Sequence, residues 1–186
     1  QGFINGDLEI GDFDSDGDND IIYSGENSSG VSVGGIIYNT YIKLTNSNQW
    51  NSGNINLKNS SIELAYFKDF GDMSYILTGE NNSGSLETRI SSVYPFPNSG
   101  LKDGDIAISD FNNDGLLDIF YSGEDSNGTP KSELHIASDR NESAAYANYT
   151  KYTGVQANGD IGLIGLREST VDWVDYDMDG DLDLFL

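Results

Sequence analysis

The chain has 186 residues, with 31 acidic side chains against nine basic ones, and a formal net charge of −22. That balance excludes nucleic acid and anionic membrane surfaces as partners, because both call for a basic footprint. Cysteine is absent, which removes disulfides and thiolate metal sites, and no apolar run is long enough for a membrane-spanning helix.

The length suits one domain, 1–186, with a real core. Glycine is abundant, proline scarce, and tyrosine plus phenylalanine number 19, a β-protein composition. The chain starts at Gln1 with no Met and no signal peptide, which reads as a removed leader or an excerpt of something longer.

The first predicted strand alternates Leu8 and Ile10 with polar neighbours, the period-2 pattern of a half-buried strand. It runs into Asp12-Phe13-Asp14-Ser15-Asp16-Gly17-Asp18-Asn19-Asp20, aspartate at every second position and glycine at the sixth. Carboxylate oxygens are hard ligands, and a cation wanting six or more oxygens at about 2.3–2.6 Å is calcium (Ca2+) rather than a transition metal. The side chains of Asp12, Asp14, Asp16 and Asp20 can converge on one point, and the Asp18 carbonyl can add another oxygen. Gly17 supplies a backbone angle that a side chain would penalise.

A second strand follows at Ile21-Ile22-Tyr23, then Ser24-Gly25-Glu26, and two further strands are expected near Val31–Lys43 and Asn54–Lys58. The next unit keeps its strands, around Ile62/Leu64 and Tyr75–Leu77, but its loop has lost the ligands. Tyr66, Lys68, Phe70 and Ser74 stand there, so this unit is expected to bind no calcium. A strand over Ser85–Tyr94 and a short partner complete it.

The third unit, 98 residues after the first, has Ile106/Ile108 and then Asp110-Phe111-Asn112-Asn113-Asp114-Gly115-Leu116-Leu117-Asp118. Ile119-Phe120-Tyr121-Ser122-Gly123-Glu124 follows, then strands at Lys131–Ser138 and Asn148–Tyr152, with a hint of helix at Glu142–Asn148. The fourth unit has Val171/Trp173, the loop Asp175-Tyr176-Asp177-Met178-Asp179-Gly180-Asp181-Leu182-Asp183, and Leu184-Phe185-Leu186. One acidic run fits an ordinary turn, since Asp and Gly are turn residues. Three in one register do not. An EF-hand is excluded, because it needs flanking helices and a bidentate Glu at loop position 12, where Tyr23, Tyr121 and Leu186 stand.

Four antiparallel strands per unit of 44–65 residues is the pattern of a propeller blade. Gly11–Tyr23, Ser109–Tyr121 and Trp173–Leu186, with a degenerate match at Ala65–Leu77, resemble the FG-GAP (VCBS-type) repeats, similar to the calcium-bearing blades of integrin α-subunit propellers and of secreted bacterial proteins. The resemblance covers about a third of the chain. The Phe-Gly and Gly-Ala-Pro signatures of the family are absent, which points to its secreted microbial branch.

The resemblance implies an all-β fold of FG-GAP-like β-propeller blades, about three and a half of them, as an open arc or part of a larger propeller. Approximate blades are 5–58, 59–100, 101–155 and an incomplete 165–186. It also implies three calcium sites. Their ligands are Asp12, Asp14, Asp16 and Asp20; Asp110, Asn112, Asp114 and Asp118; and Asp175, Asp177, Asp179 and Asp183, with carbonyl ligands at Asp18, Leu116 and Asp181. The affinity range of such loops favours a calcium-rich extracellular or cell-surface setting.

The expected function is a non-enzymatic module for adhesion, recognition or assembly, whose partners are an extracellular protein, a carbohydrate or copies of itself. Two alternatives stand beside it: a self-assembling filament joined by edge-strand complementation, and a fragment of a propeller-type polysaccharide lyase or hydrolase. Trp50, Tyr94 and Phe96 are the aromatics best placed for sugar stacking. Asn27, Asn59, Asn81, Asn127, Asn141 and Asn148 begin Asn-x-Ser/Thr sequons, candidate glycosylation sites on exposed turns or chance in an Asn-rich chain. His135, the one histidine, reads as structural. Tyr23, Phe67, Tyr121, Trp173 and Tyr176 recur in or near register and are expected in the core between units.

Overall fold

The computed structural model describes residues 2–40, 43–46, 55–66, 73–90, 100–138, 148–152 and 163–186, and all regular structure among them is β. Thirteen strands form four small antiparallel sheets in chain order. The first sheet is β1 (Ile4–Gly11), β2 (Asp20–Glu26), β3 (Ser32–Thr40) and β4 (Lys43–Asn46); the second is β5 (Lys58–Tyr66), β6 (Met73–Glu80) and β7 (Leu86–Ile90). The third is β8 (Ile106–Ser109), β9 (Asp118–Glu124), β10 (Pro130–Ser138) and β11 (Asn148–Lys151); the fourth is the hairpin β12 (Asp172–Val174) and β13 (Asp183–Phe185).

Strands neighbouring in sequence pair with each other throughout. The inner hairpins share one register, with Gly11 opposite Asp20, Ala65 opposite Ser74, Ser109 opposite Asp118 and Val174 opposite Asp183. One expected strand is misplaced. The partner of β3 is β4, not 54–58; Ile55 and Leu57 lie in irregular chain, buried in the core, before β5 begins at Lys58. The helix hinted at over 142–148 and the aromatics Trp50, Tyr94 and Phe96 fall outside the described residues, apart from Asn148, which opens β11.

The sheets stack face to face in chain order, each junction with its own apolar core. Ile22, Ile36 and Tyr38 of the first sheet meet Ile62, Tyr75 and Leu77 of the second. Ile76 of the second meets Ile106, Ile119 and Tyr121 of the third. Ala107, Phe120 and Leu134 of the third meet Val171, with Trp173 and Leu184 packed alongside. The middle strands β6 and β9 are buried on both faces, which explains their nearly continuous apolar sequence.

Of the aromatics expected in the core, Tyr121 and Trp173 are there, and Tyr23 is half-buried and stacked on Phe3 at 5.4 Å. Tyr176 is exposed instead, because no sheet covers that face of the last hairpin among the described residues. Phe67 lies outside them.

The Ser/Thr-Gly-Glu tripeptides, which read as turns in the sequence, are the ends of β2, β6 and β9, and they have a physical role there. Ser24 Oγ donates to the Leu57 carbonyl at 2.6 Å and accepts from its N–H at 2.9 Å; Thr78 Oγ1 does the same to Leu101, at 2.8 and 2.9 Å. Ser122 Oγ meets Ser169 Oγ at 2.8 Å. Each buried hydroxyl thereby pins the segment entering the next sheet, worth about 1 kcal/mol per bond. The glutamates form an alternating charge ladder across the junctions: Lys58 reaches Glu26 and Glu80, Lys102 reaches Glu80, and Arg167 reaches Glu124.

Candidate metal centres

Each acidic loop folds on its own first aspartate. Asp12 accepts the N–H of Asp16 at 3.1 Å and of Gly17 at 3.0 Å. Asp110 accepts those of Asp114 and Gly115 at 2.9 and 2.8 Å, and Asp175 those of Asp179 and Gly180 at 3.1 and 3.2 Å. The third position, Asp14, Asn112 or Asp177, accepts from the same fifth-position N–H at 3.3, 3.1 and 3.2 Å.

Gly17, Gly115 and Gly180 have φ of 94°, 86° and 95°, the left-handed region that a Cβ disfavours. The fourth position is left-handed too, at Ser15, Asn113 and Met178, with φ of 59°, 57° and 61°. Sequence reading missed this, and Met178 carries no signal for it, since an unbranched side chain gains nothing from that conformation.

The ninth position closes the loop. Asp20, fully buried, accepts the Phe13 N–H at 2.9 Å through one oxygen and the Asn39 N–H of β3 at 2.8 Å through the other. Asp118, also fully buried, does so with Phe111 at 3.0 Å and Ala137 of β10 at 2.8 Å. Asp183 accepts from Tyr176 at 3.1 Å. Burial pushes Asp118 above the ordinary carboxylate range, against the pull of its two N–H donors. Asp14 is also raised, by partial desolvation and then by Asp16 and Asp20.

This geometry brings Asp12, Asp14 and Asp20 together, with one oxygen of each within 4.8 Å of the others, and likewise Asp175, Asp177 and Asp183. Either trio can hold a metal ion. An all-carboxylate set without nitrogen or sulfur donors suits a hard cation. The middle loop carries the same hydrogen-bond frame with the Asn112 amide in place of the third-position carboxylate. Asp16, Asp114 and Asp179 lie outside the acidic trios; one oxygen of each accepts the N–H of Asp18, Leu116 or Asp181 at 2.9, 2.8 and 3.0 Å. In the second sheet Tyr66 and Met73 pair directly, Ser74 is buried, and Lys68 and Phe70 lie outside the described residues.

Two further titratable clusters were not read from the sequence. Asp7 accepts the Ile62 N–H at 3.0 Å, and Asp105 accepts the Val171 N–H at 2.9 Å, so each clamps the following sheet. Their offset of 98 residues was the available signal. Beside them Glu63 is pushed up to about 7, chiefly by burial and then by Glu9, Asp105, Asp172 and Asp7. A carboxyl raised in the folded state favours folding when protonated, and that advantage is lost as pH rises from the unfolded range of about 4.5 through 7. Glu63→Gln should therefore leave the melting temperature unchanged near pH 4 and raise it at pH 8. Equal shifts at both values would refute the assignment.

The second cluster lies between the second and third sheets. Glu133 is held down at about 2 by the bond from His135 at 3.1 Å, with Lys151 at 2.6 Å and Tyr121 at 3.1 Å adding to it against burial. His135 is buried and stacked on Tyr121 at 5.4 Å.

At the sequons, Asn27 and Asn81 shape turns. Asn27 Oδ1 accepts from Ser29 and Val31, Asn81 Oδ1 from Ser83 and Ser85, and the Asn81 amide donates to Glu87. Asp125 takes the same role beside Asn127, so the turn accounts for the residue without a glycan. Asn59 is half-buried with φ 49°, Asn148 opens β11, and Asn141 is outside the described residues. No helix among the described residues is long and apolar enough to cross a membrane. No protein-family model matches the chain, and no curated protein matches it.

Proposed function

We propose that this chain is a calcium-binding β-propeller-type module of FG-GAP (VCBS) character, secreted or held at the cell surface, which serves recognition or assembly rather than catalysis. The observation that carries this is the acidic trio formed twice, Asp12/Asp14/Asp20 and Asp175/Asp177/Asp183, inside a hydrogen-bond frame that the middle loop shares. The ions act as staples: they neutralise carboxylates crowded by the tight turns, and binding free energy becomes folding free energy. Three of them would bring the formal charge from −22 to about −16.

The enzymatic alternative has less behind it. Every lysine and arginine whose side chain is described is ion-paired with Glu or Asp, at Lys58, Arg89, Lys102, Lys131, Lys151 and Arg167. Among the described residues, none of these cations is left over for the charge stabilisation that polysaccharide cleavage needs.

The test is a metal count on protein equilibrated with calcium and freed of excess. Three ions per chain are expected. Asp16→Ala, Asp114→Ala and Asp179→Ala should each remove one, and Lys68→Ala none. A parent holding no calcium would end the reading; a parent holding four would show that the second unit binds after all.

A further inference from the structure

The three internal junctions are built alike, and the two ends of the stack carry the halves of a fourth. On the receiving side of each junction, Ile62, Ile106 and Val171 are buried, and Leu64, Ile108 and Trp173 pack against the core. Their register counterparts in β1, Leu8 and Ile10, are 48% and 56% exposed. On the donating side, Phe13 and Phe111 pack onto the following sheet, and Ile22, Ile76 and Phe120 are fully buried there. Their counterparts in the last hairpin, Tyr176 and Phe185, are 80% and 65% exposed.

The polar pattern is divided in the same way. Asp105 receives Ser61 Oγ from the preceding sheet at 2.9 Å, its neighbour Ile106 N–H at 3.0 Å, and Val171 N–H from the following sheet at 2.9 Å. Asp7 receives Leu8 N–H at 2.8 Å and Ile62 N–H at 3.0 Å, which are the second and third of these. The donor that would complete the set comes from a preceding sheet. Thr170, exposed and next to β12, holds the place of Ser61 in the last sheet.

We propose that this chain associates head to tail with a second copy: Val174, Tyr176 and Phe185 of one copy pack on Leu8, Ile10 and Tyr23 of the next, and Thr170 donates to that copy's Asp7. The internal contact it copies is Phe111 and Phe120 on Trp173, at ring separations of 5.3 and 6.3 Å. The contact joins sheet faces, so it is distinct from strand addition at an open edge. Being heterologous, it continues into a filament or closes as a ring. Net negative charge opposes it, so screening by salt strengthens it.

Sedimentation velocity of the 186-residue chain over a wide concentration range in calcium tests this. Mass should grow with concentration. Ile10→Asn and Phe185→Asn, both uncharged changes at exposed positions, should each weaken association by roughly tenfold or more, as loss of an apolar anchor does. Mixed together the two variants should form dimers and stop, because only one intact junction remains between them. A parent that stays monomeric, or association that neither variant weakens, overturns the proposal. Circular dichroism checks folding. If either variant fails to fold, Thr170→Val, which removes only the donor, should weaken association, and parent-like association would overturn the proposal in its place.

Discussion

Chelation is expected to lower the melting temperature of this protein by on the order of 20 °C. An ion bound only by the folded state at about 100 times its dissociation constant contributes about 2.7 kcal/mol, so three contribute about 8. For a chain of this length each kcal/mol moves the midpoint by roughly 2–4 °C. Within each outer trio three carboxylates approach within 4.8 Å, and without a cation their repulsion falls on the folded state. Differential scanning calorimetry in calcium and in excess EDTA measures the shift. Magnesium should restore less of it, since it demands an octahedral site and gives up its waters reluctantly. An unchanged melt in EDTA would remove the structural role assigned to calcium.

Asp118→Ala and Asp20→Ala should be the most damaging single changes in the loops, and calcium should not rescue them. Each carboxylate is fully buried and satisfies two backbone donors, one in its loop and one in the neighbouring strand, β10 or β3. Removing it leaves both N–H groups without their acceptor, at about 1–3 kcal/mol each. The midpoint should fall by roughly 5–20 °C, and the fall should persist in EDTA. Asp16→Ala separates the roles, because its carboxylate is exposed and accepts only the Asp18 N–H within the loop. Its penalty should vanish in EDTA, where no ion remains to be lost. If Asp20→Ala and Asp16→Ala behave alike in EDTA, the ninth position has no structural role beyond the metal.

Much of the fold was legible because the alternation of Leu8/Ile10, Ile106/Ile108 and Val171/Trp173 is the direct imprint of strands with one buried face. The acidic loops were legible in part, because aspartates at alternate positions around a left-handed glycine bring Asp12, Asp14 and Asp20 within reach of one another. What the sequence hid was long-range. Nothing local to Asp20 says that its second oxygen reaches Asn39, or that the charge of Asp172, two sheets away, helps to raise Glu63. The placement of β4 was missed for a related reason: Ile55 and Leu57 are apolar because the core needs them, not because they pair in a strand.

The stacking of sheets in chain order has a consequence for how the molecule opens. Each core joins only adjacent sheets, so cooperativity travels by nearest neighbours, and stability is approximately a sum of sheets and junctions. Amide protons of β6 and β9, enclosed on both faces, should exchange last. Those of β12 and β13, a hairpin of three-residue strands with one covered face, should exchange first. Fraying is therefore expected to begin at the hairpin that carries Asp175, Asp177 and Asp183, and an ion held by that trio would limit how far it proceeds inward.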